Sequence, residues 1–314
     1  MKIFSDNHSF ACKIVTSQQE WKVIDRCSLE PDKKSLAGNL FQTDNLFESE
    51  LKSEKFWENL FLVKNAEKSQ YDLIIEQVRA GEDIPDKTLC LADSGRKFHG
   101  QRNRDWVSLA GNIHLSVFLK PDKPIKQFAP GFNILTAVSV LQTIDSIDDL
   151  KGKAKIKWVN DILIDNFKVC GFLAHTLSEG NKVSGAVLGI GLNVESSPDV
   201  EPTPFVPQSS SLMKLSKNHT QAGQSFVFHR LTVNLARNYR LLLNDGYFKL
   251  LEIYRRRSII IGRRVVIMPD PIRPEDRQDD IIEGRVVSIG DNLELFLEGR
   301  EKPVTKGRLI LKSD

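Results

Sequence analysis

One short segment of the sequence combines a lysine, an asparagine and an aspartate in an order that suits phosphate chemistry. The run Lys157-Trp158-Val159-Asn160-Asp161 is followed seven residues later by Lys168, and then by Gly171. Lys168 lies in an otherwise apolar run, and because burial of an unpaired ammonium is costly, it needs an anion or a route to solvent. An aspartate near such a lysine in a cleft suits a magnesium-dependent nucleotidyl or phosphoryl reaction. Two simpler interpretations stay open: Lys168 points outward from a half-buried strand, and Asn160-Asp161 only forms a turn.

A second segment, between Gly95 and Trp106, is basic and contains glycine. Its polar and basic side chains, with one further glycine, are Arg96, Lys97, His99, Gly100, Gln101, Arg102 and Arg104. A guanidinium group donates two parallel hydrogen bonds to phosphate or carboxylate, and glycine lets the backbone approach closely. Trp106 would stack on a base or on an arginine. Because charge runs are commonly just solvated, this segment alone is weak support for an anion site.

Two further glycines, Gly189 and Gly191, flank Ile190 in an apolar run that ends at Asn193 and Val194. Glycine weakens a strand, and it is tolerated there where a ligand or another part of the chain comes close. The run is not the dinucleotide-binding fingerprint, because the third glycine and the following helix are missing.

The composition excludes several classes of protein. The chain has 314 residues, of which 40% are hydrophobic and 27% charged, so it is long enough for two domains and too apolar to be disordered. Its formal charge of +3 is too small for a protein that coats nucleic acid by bulk electrostatics. The sequence shows no signal-peptide core and no apolar run of membrane-spanning length, and its four cysteines follow no metal-ligand spacing. We therefore expect a cytoplasmic protein, of the cytosol or of an organelle matrix, with reduced thiols and no membrane partner.

Most of the predicted strands follow one another through turns instead of through helices. They are TLCLAD, NIHLSVFL, AKIKWV, DILI, FKVCGFLAH and GAVLGIGLNV. Helices are predicted over 129–145 and 226–245, the second ended by Gly246, and a helix that runs into a strand is predicted over 48–63. This order predicts an α+β fold with a mainly antiparallel sheet and flanking helices. After Arg257, the five short strands GRRVVIM, IIEGRVVSI, LELFLE, KPVTK and GRLIL predict a small β-barrel.

Several of these motifs, in their order along the chain, resemble those of biotin protein ligases. The run KWVNDILIDNFKVCGFL resembles the family's Lys-Trp-Pro-Asn-Asp signature, including the spacing to the lysine and the glycine. GIGLNV, WVSLAGNIHLSV and PQSSSL resemble a following strand, a Trp-x-Ser-Pro-x-Gly-Asn-Leu segment and a Thr-Ser-Leu element. The resemblance covers roughly Ala66 to the C-terminus. It implies an N-terminal extension of unknown role over 1–60, a ligase domain like that of class II aminoacyl-tRNA synthetases over 61–257, and an SH3-like barrel over 258–314.

The resemblance implies a two-step reaction with ATP, biotin and Mg²⁺. The biotin carboxylate attacks the α-phosphorus of ATP, and a lysine of a biotin carboxyl carrier domain then takes the acyl group from biotinoyl-AMP. Lys168 would be the catalytic lysine that bridges carboxylate and phosphate, and Asp161 would hold Mg²⁺. Biotin contacts are expected, besides Lys168, from Ser69, Gln70, Gly95, Gly100 and Gly171. Contacts to ATP or the adenylate are expected from His99, Gln101, Arg102, Arg104, Trp106, Asn160, Asp161 and Asn193.

The basic loop departs from the family pattern. Where the family has Gly-Arg-Gly-Arg-x-Gly-Arg-x-Trp, this chain has FHGQRNRDW over 98–106. Gly95 replaces a biotin-contacting Gln, Gln70 replaces a Thr, and Val159 replaces a Pro. A glutamine at 101 removes charge-assisted contacts worth roughly 1.5 to 3 kcal/mol each. We therefore expect a ligase that releases its adenylate easily, or one whose loop holds it through Arg102, Arg104 and His99.

Two alternatives to a biotin ligase stay open. One is a ligase-derived biotin- or adenylate-binding protein that has lost catalysis, although the retained Lys168, Asn160 and Asp161 argue against it. The other is a ligase for lipoate or another acyl cargo. Residues 1–60 show no helix-turn-helix pattern, so we predict no DNA binding, and a homodimer is left open. The arginine run YRRRSIIIGRR over 254–264 is either a solvated edge or a lid over the ATP phosphates.

Overall fold

The main sheet has ten strands in the computed structural model, which describes residues 1–17, 19–121, 123–179, 182–205, 208–269 and 281–312. The strands are β1 (Lys2–Ser5), β2 (Lys22–Asp25), β3 (Asn45–Glu50), β4 (Asn59–Ala66), β5 (Thr88–Gly95), β6 (Ile113–Leu119), β7 (Lys155–Lys157), β8 (Asp161–Ile164), β9 (Phe167–Glu179) and β10 (Lys182–Leu192). Their order is β2-β3-β1-β4-β5-β6-β10-β9-β8-β7. The β1–β4 and β4–β5 pairs are parallel and the other neighbours are antiparallel, which confirms the predicted α+β class.

Helices cover both faces of this sheet. They are α1 (His8–Ile14), α2 (Pro31–Leu40), α3 (Gln70–Arg79), α4 (Phe128–Ile144), α5 (Leu212–Leu215), α6 (Gln224–Leu243) and α7 (Tyr247–Arg257). The larger apolar core contains α1, α4, α6 and α7, and a second core on the opposite face contains α2 and α3. Among the described helices, none is both long and apolar enough to cross a bilayer.

The helix α4, predicted over 129–145, is confirmed, and it is buried on almost all sides. Its buried hydroxyl groups are satisfied within the helix pair that it forms with α6. Thr143 Oγ1 accepts a hydrogen bond of 3.1 Å from Asn234, and Ser139 Oγ accepts one of 2.9 Å from Asn238. These bonds let a helix that also carries polar residues lie inside the core.

The N-terminal residues belong to the main sheet. Strand β1 lies between β3 and β4, so the chain before Glu50 supplies three of the ten strands. The helical part of the prediction over 48–63 is wrong, because this segment contains the end of β3 instead of a helix, whereas the strand that was expected to follow is the start of β4. Residues 59–63 are all buried, because β4 pairs with β1 on one side and β5 on the other, and this long-range pairing overrides the local helical pattern.

The C-terminal residues form a small antiparallel sheet. Its strands β11 (Arg264–Met268), β12 (Ile282–Ile289), β13 (Leu295–Leu297) and β14 (Arg308–Leu311) lie in the order β13-β12-β11-β14. The predicted strand KPVTK forms only an isolated bridge between Val304 and Leu295. The helix predicted over 226–245 ends at Leu243; Gly246 is the N-cap of α7, and its N–H also donates to the Leu241 carbonyl in the last turn of α6.

Candidate active site

A cavity of about 930 Å³ lies where one end of the main sheet meets the 98–107 segment, the 198–205 segment and the C-terminal sheet. Every predicted site residue except Gln70 and Gly95 lines it: Ser69, His99, Gly100, Gln101, Arg102, Arg104, Trp106, Asn160, Asp161, Lys168, Gly171 and Asn193. The structure thus brings together residues that are far apart in the sequence.

Lys168 forms an ion pair inside this cavity. Its Nζ lies 2.7 Å from Asp161 Oδ1, and the two side chains are only 15% and 17% exposed. The β8–β9 hairpin positions the pair. Asp161 pairs with Gly171 across the hairpin, and because the register shifts after Ile162, the next residue, Leu163, pairs with Lys168. The Lys168 ammonium therefore has a carboxylate partner in a half-enclosed site, and the outward-pointing interpretation is wrong.

The indole of Trp106 packs against this pair and against two of the glycines. Lys168 Nζ lies 5.7 Å from the centre of the Trp106 ring. A Cβ atom on Gly191 would lie 2.4 Å from Trp106 Cε2, and one on Gly171 would lie 3.2 Å from Cζ3. Both glycines are needed because the indole lies directly on the backbone of β9 and β10. Trp106 Nε1 is buried and lacks a hydrogen-bond partner among the described residues.

The two asparagines of the site are held by the backbone around them. Asn160 Nδ2 donates a hydrogen bond of 2.7 Å to the Phe172 carbonyl, and Asn193 Nδ2 donates one of 3.1 Å to the Ser210 carbonyl. Asn193 is 1% exposed, and its Oδ1 has no hydrogen-bond partner in the described part of the chain. This oxygen is free to accept from a ligand or to contact a cation.

The basic loop forms a short hairpin. Gly100 N donates to Arg104 O at 2.7 Å, and Trp106 N donates to Phe98 O at 3.0 Å. His99 anchors the hairpin to α3, since its Nε2 lies 2.9 Å from both carboxylate oxygens of Asp72. Burial opposes the charged form of His99, but hydrogen bonds to the Gly100 carbonyl and to Asp72 outweigh it and raise the pKa of His99.

Two predicted biotin contacts lie outside the cavity. A Cβ atom on Gly95 would lie 2.5 Å from Phe98 Cε2 and 2.7 Å from the Ala66 carbonyl, so Gly95 makes room for the Phe98 ring. Gln70 is fully buried, and neither polar atom of its amide has a partner among the described residues. Ser69, immediately before it, does line the cavity.

Lys157 is a cavity residue that the sequence motifs contained but that we did not single out. It is 4% exposed, and its Nζ donates to the Phe205 carbonyl. Burial lowers the pKa of Lys157 to about 8; the Asp161 carboxylate opposes this shift, and nearby cations add to it. Those cations are Lys168, Arg308 and Arg104. Its position in the Lys-Trp-Val-Asn-Asp run was the signal for it.

The C-terminal sheet supplies one wall of the cavity. The guanidinium carbon of Arg308 lies 3.7 Å from the centre of the Phe205 ring, and Arg308 lines the cavity. Trp158 Nε1 donates a hydrogen bond of 2.7 Å to the Leu293 carbonyl, which fixes the sheet to the signature run. No sequence motif pointed to Arg308, because its role depends on how the two parts of the chain meet.

Aromatic and imidazole rings line the cavity near Ser69. Tyr71 lies against Gly189, where a Cβ atom would be 2.9 Å from Tyr71 Cδ2. Burial lowers the pKa of His114 to about 4, so this ring is neutral at pH 7. Neither residue was predicted as part of the site, although His114 lies within the run WVSLAGNIHLSV.

Two residues of the arginine run, Arg255 and Arg257, have structural roles. Arg255 binds the Ile289 carbonyl at 2.7 Å and Asp291 at 2.8 Å. Arg257 binds both carboxylate oxygens of Asp145, at 2.7 Å and 3.0 Å. These bonds connect α7 to β12 and to the end of α4, and neither arginine lines the cavity.

Comparisons with known proteins agree with this geometry. The model of the biotin/lipoate A/B protein ligase family matches residues 66–193. The chain is similar to the bifunctional ligase/repressor BirA of Bacillus subtilis, with 28% identity over 216 residues, 68% of this chain and 63% of the relative. It is also similar to the biotin--[acetyl-CoA-carboxylase] ligase of Paracoccus denitrificans, with 34% identity over 116 residues, 35% of this chain and 47% of the relative. The chain thus spans less than two thirds of the length of these relatives.

Among solved structures, the chain resembles biotin protein ligase from Aquifex aeolicus in complex with biotin and ATP. The TM-score is 0.60 at 19% identity, over 82% of this chain and 100% of the other. This likeness shows the fold. The part of the chain that is similar in sequence to the biotin/lipoate A/B protein ligase family is residues 66–193.

Proposed function

We propose that this protein is a biotin protein ligase, which activates biotin with ATP and transfers it to a lysine of a biotin carboxyl carrier domain. The observation that carries the proposal is the Lys168–Asp161 ion pair, packed on Trp106 inside a cavity. The names of relatives, biotin--[acetyl-CoA-carboxylase] ligases, support the substrate and the acceptor. The neighbour solved with biotin and ATP supports both small molecules.

In the first step, an oxygen of the biotin carboxylate forms a bond to the α-phosphorus of ATP. The bond from that phosphorus to pyrophosphate breaks, and biotinoyl-AMP is formed. Two anions must meet, and negative charge grows on the phosphoryl oxygens, so a fixed cation lowers the barrier. Lys168 is that cation, because Asp161 holds its ammonium in place at the cavity wall.

Three further cations of the cavity suit the phosphates of ATP. Lys157, Arg104 and Arg308 lie close enough to one another to shift the pKa of Lys157. Such a cluster is stabilised by a polyanion. The unpartnered Trp106 Nε1 and Asn193 Oδ1 add one donor and one acceptor for the nucleotide.

The acidic side chains of the site determine how it would bind Mg²⁺. No group of three or more histidine, cysteine, aspartate or glutamate side chains suited to a metal occurs among the described residues. Mg²⁺ commonly binds through one carboxylate together with substrate phosphates. Asp161 therefore fits an ion that arrives with ATP, and Mg²⁺ would neutralise phosphate charge during adenylation.

In the second step, the amine of the acceptor lysine attacks the acyl carbon of biotinoyl-AMP. The bond from that carbon to the AMP oxygen breaks, AMP leaves, and the amine loses a proton as the amide forms. The loop over 98–106 lines the cavity at which the acceptor must arrive, so it has to retain the adenylate and still admit a lysine side chain.

The test is adenylation followed by transfer to a purified biotin carrier domain, with the wild type, Lys168→Ala and Lys249→Ala. Lys249 is exposed on α7 and serves as the control. Loss of the charge-stabilising lysine should lower adenylation by about 10²-fold or more, while the control keeps full activity. A fully active Lys168→Ala protein would contradict the role of this lysine.

The same assay separates the alternatives. Biotin-dependent exchange of pyrophosphate into ATP is expected from a biotin ligase. Bound biotin without exchange in the wild type would indicate a binding protein, and exchange that depends on lipoate would indicate a different cargo.

The four unpaired cysteines are consistent with a reducing, cytoplasmic location.

We also propose that residues 1–60 do not bind DNA, although some relatives are named ligase/repressors. In the described part of residues 1–60, strand β2 separates α1 from α2. A helix-turn-helix requires two helices joined by a short turn. A homodimer stays open, and sedimentation of the protein with biotin and ATP would decide it.

A further inference from the structure

The contact between His99 and Asp72 joins the basic hairpin to helix α3. His99 belongs to the hairpin over 98–106, and Asp72 lies in the first turn of α3. His99 Nε2 lies 2.9 Å from both oxygens of Asp72, and its Nδ1 lies 2.9 Å from the Gly100 carbonyl. Both ring nitrogens face acceptors, and only the protonated imidazole can donate from both.

The carboxylate is in turn suited to this partner. Asp72 lies in the first turn of α3, where the helix dipole interacts favourably with a negatively charged side chain. The two side chains are 22% and 23% exposed, so solvent screens the pair only in part. A charge-assisted hydrogen bond in this setting is stronger than a neutral one.

The hairpin carries the effect of this contact to the reaction site. The Phe98 carbonyl accepts from Trp106 N, and an isolated bridge pairs His99 with Asp105. Anchoring His99 therefore also anchors the strand that bears Trp106. The indole of Trp106 lies on Gly191 and near Lys168, so its position is coupled to α3.

We propose that Asp72 and His99 form a latch that holds the 98–106 hairpin, and with it Trp106, closed over the acyl-adenylate. This inference rests on the proposed function for its ligand. His99 acts as a positioning residue, since it sets the place of Trp106. The family pattern has arginines at the positions of His99 and Gln101. The latch takes the place of those guanidinium groups in retaining the adenylate.

Retention of the adenylate then depends on pH. The hydrogen bonds raise the pKa of His99, so the latch is closed below that pKa and weakens as the pH rises through it. Other titratable groups that line the cavity beside the loop are Tyr71, Arg102, Arg104, Asp105, His114 and Lys168. Of these, His114 is buried, and burial lowers its pKa to about 4, so its ring stays neutral over the range tested.

The experiment measures release of preformed biotinoyl-AMP on dilution, from about pH 5.5 to about pH 8.5. In the wild type, release should become about tenfold faster as the pH rises. His99→Gln and Asp72→Asn should release quickly at every pH. His99→Arg restores a permanent cation opposite Asp72 and should release slowly at every pH. His229→Gln, on the exposed face of α6, is the matched control and should behave as the wild type.

A second measurement does not require activity. Hydrogen exchange of the amides over 97–108 in the ligand-free protein should be faster in His99→Gln and Asp72→Asn than in the wild type and the control. Equal exchange in all of them would overturn the latch whether or not the protein makes an adenylate. Failure of the wild type to form any adenylate would instead refute the proposed function, and the exchange result would still decide on the latch.

Discussion

The indole of Trp106 occupies the space that a Cβ atom on Gly191 would need, with Cε2 only 2.4 Å from that position. Gly191→Ala must therefore displace the indole or the backbone of β10. Overpacking of this kind costs about 1 to 3 kcal/mol, so the adenylate should bind about ten- to a hundredfold more weakly. Gly38→Ala is the control, because a Cβ atom there meets nothing within 4 Å. Equal adenylate affinity in the two variants, measured by calorimetry, would show that Trp106 is not part of the binding surface.

The activity should depend on pH through Lys157. Burial lowers the pKa of Lys157 to about 8, so its ammonium form is fully present in the free enzyme only below that pH. We expect kcat/KM for ATP to fall as the pH rises through this value, since this ratio reports ionisations of the free enzyme. Lys157→Arg keeps its charge and should lose this limb of the profile. A wild-type profile that stays flat above pH 8 would contradict a role for Lys157 in ATP binding.

Arg308 should contribute to ATP binding from the C-terminal sheet. Arg308→Gln removes a guanidinium that lines the cavity beside Lys157, and we expect KM for ATP to rise about tenfold while the affinity for biotin stays the same. Arg264→Gln, at an exposed position of β11, is the matched control. The measurement is steady-state adenylation with ATP varied and biotin saturating. If only the affinity for biotin changed, Arg308 would lie at the biotin end of the cavity, and its predicted role in ATP binding would be wrong.

The first strand should contribute to the stability of the whole sheet. Ile3 in β1 is fully buried between β3 and β4, and Ile3→Ala should lower the free energy of unfolding by about 2 to 5 kcal/mol. Val23→Ala, at a position 66% exposed in the edge strand β2, should change it by less than about 0.5 kcal/mol. Denaturant unfolding followed by circular dichroism gives both values. If Ile3→Ala is as stable as Val23→Ala, the N-terminal strands are not integrated with the sheet.

The central part of the site could be predicted from the sequence because its residues are close along the chain. Asp161, Lys168 and Gly171 share one hairpin, so their spacing alone brings them together. The glycines of β9 and β10 could also be recognised in the sequence, because glycine weakens a strand and is tolerated there where another group packs closely against the backbone. For Gly171 and Gly191, that group is the indole of Trp106.

Other parts of the site depend on contacts that no local pattern records. The low pKa of Lys157 follows from its burial, and its Nζ donates to the Phe205 carbonyl in a segment far along the chain. Asp72 was not recognised, because its partner His99 stands where the family pattern has an arginine. The place of β1 in the sheet was missed for a different reason: its partner β4 lies beyond two other strands in the sequence.

The walls of the cavity come from residues as early as Ser69 and as late as Leu309. During synthesis on the ribosome, the signature run and the basic hairpin emerge well before the last strand, β14. An unfinished chain can therefore fold much of its main sheet and still lack the surface that carries Arg308. Such a nascent chain would have an open nucleotide site. It follows that the cavity proposed to hold the adenylate is complete only after nearly the whole polypeptide has been made.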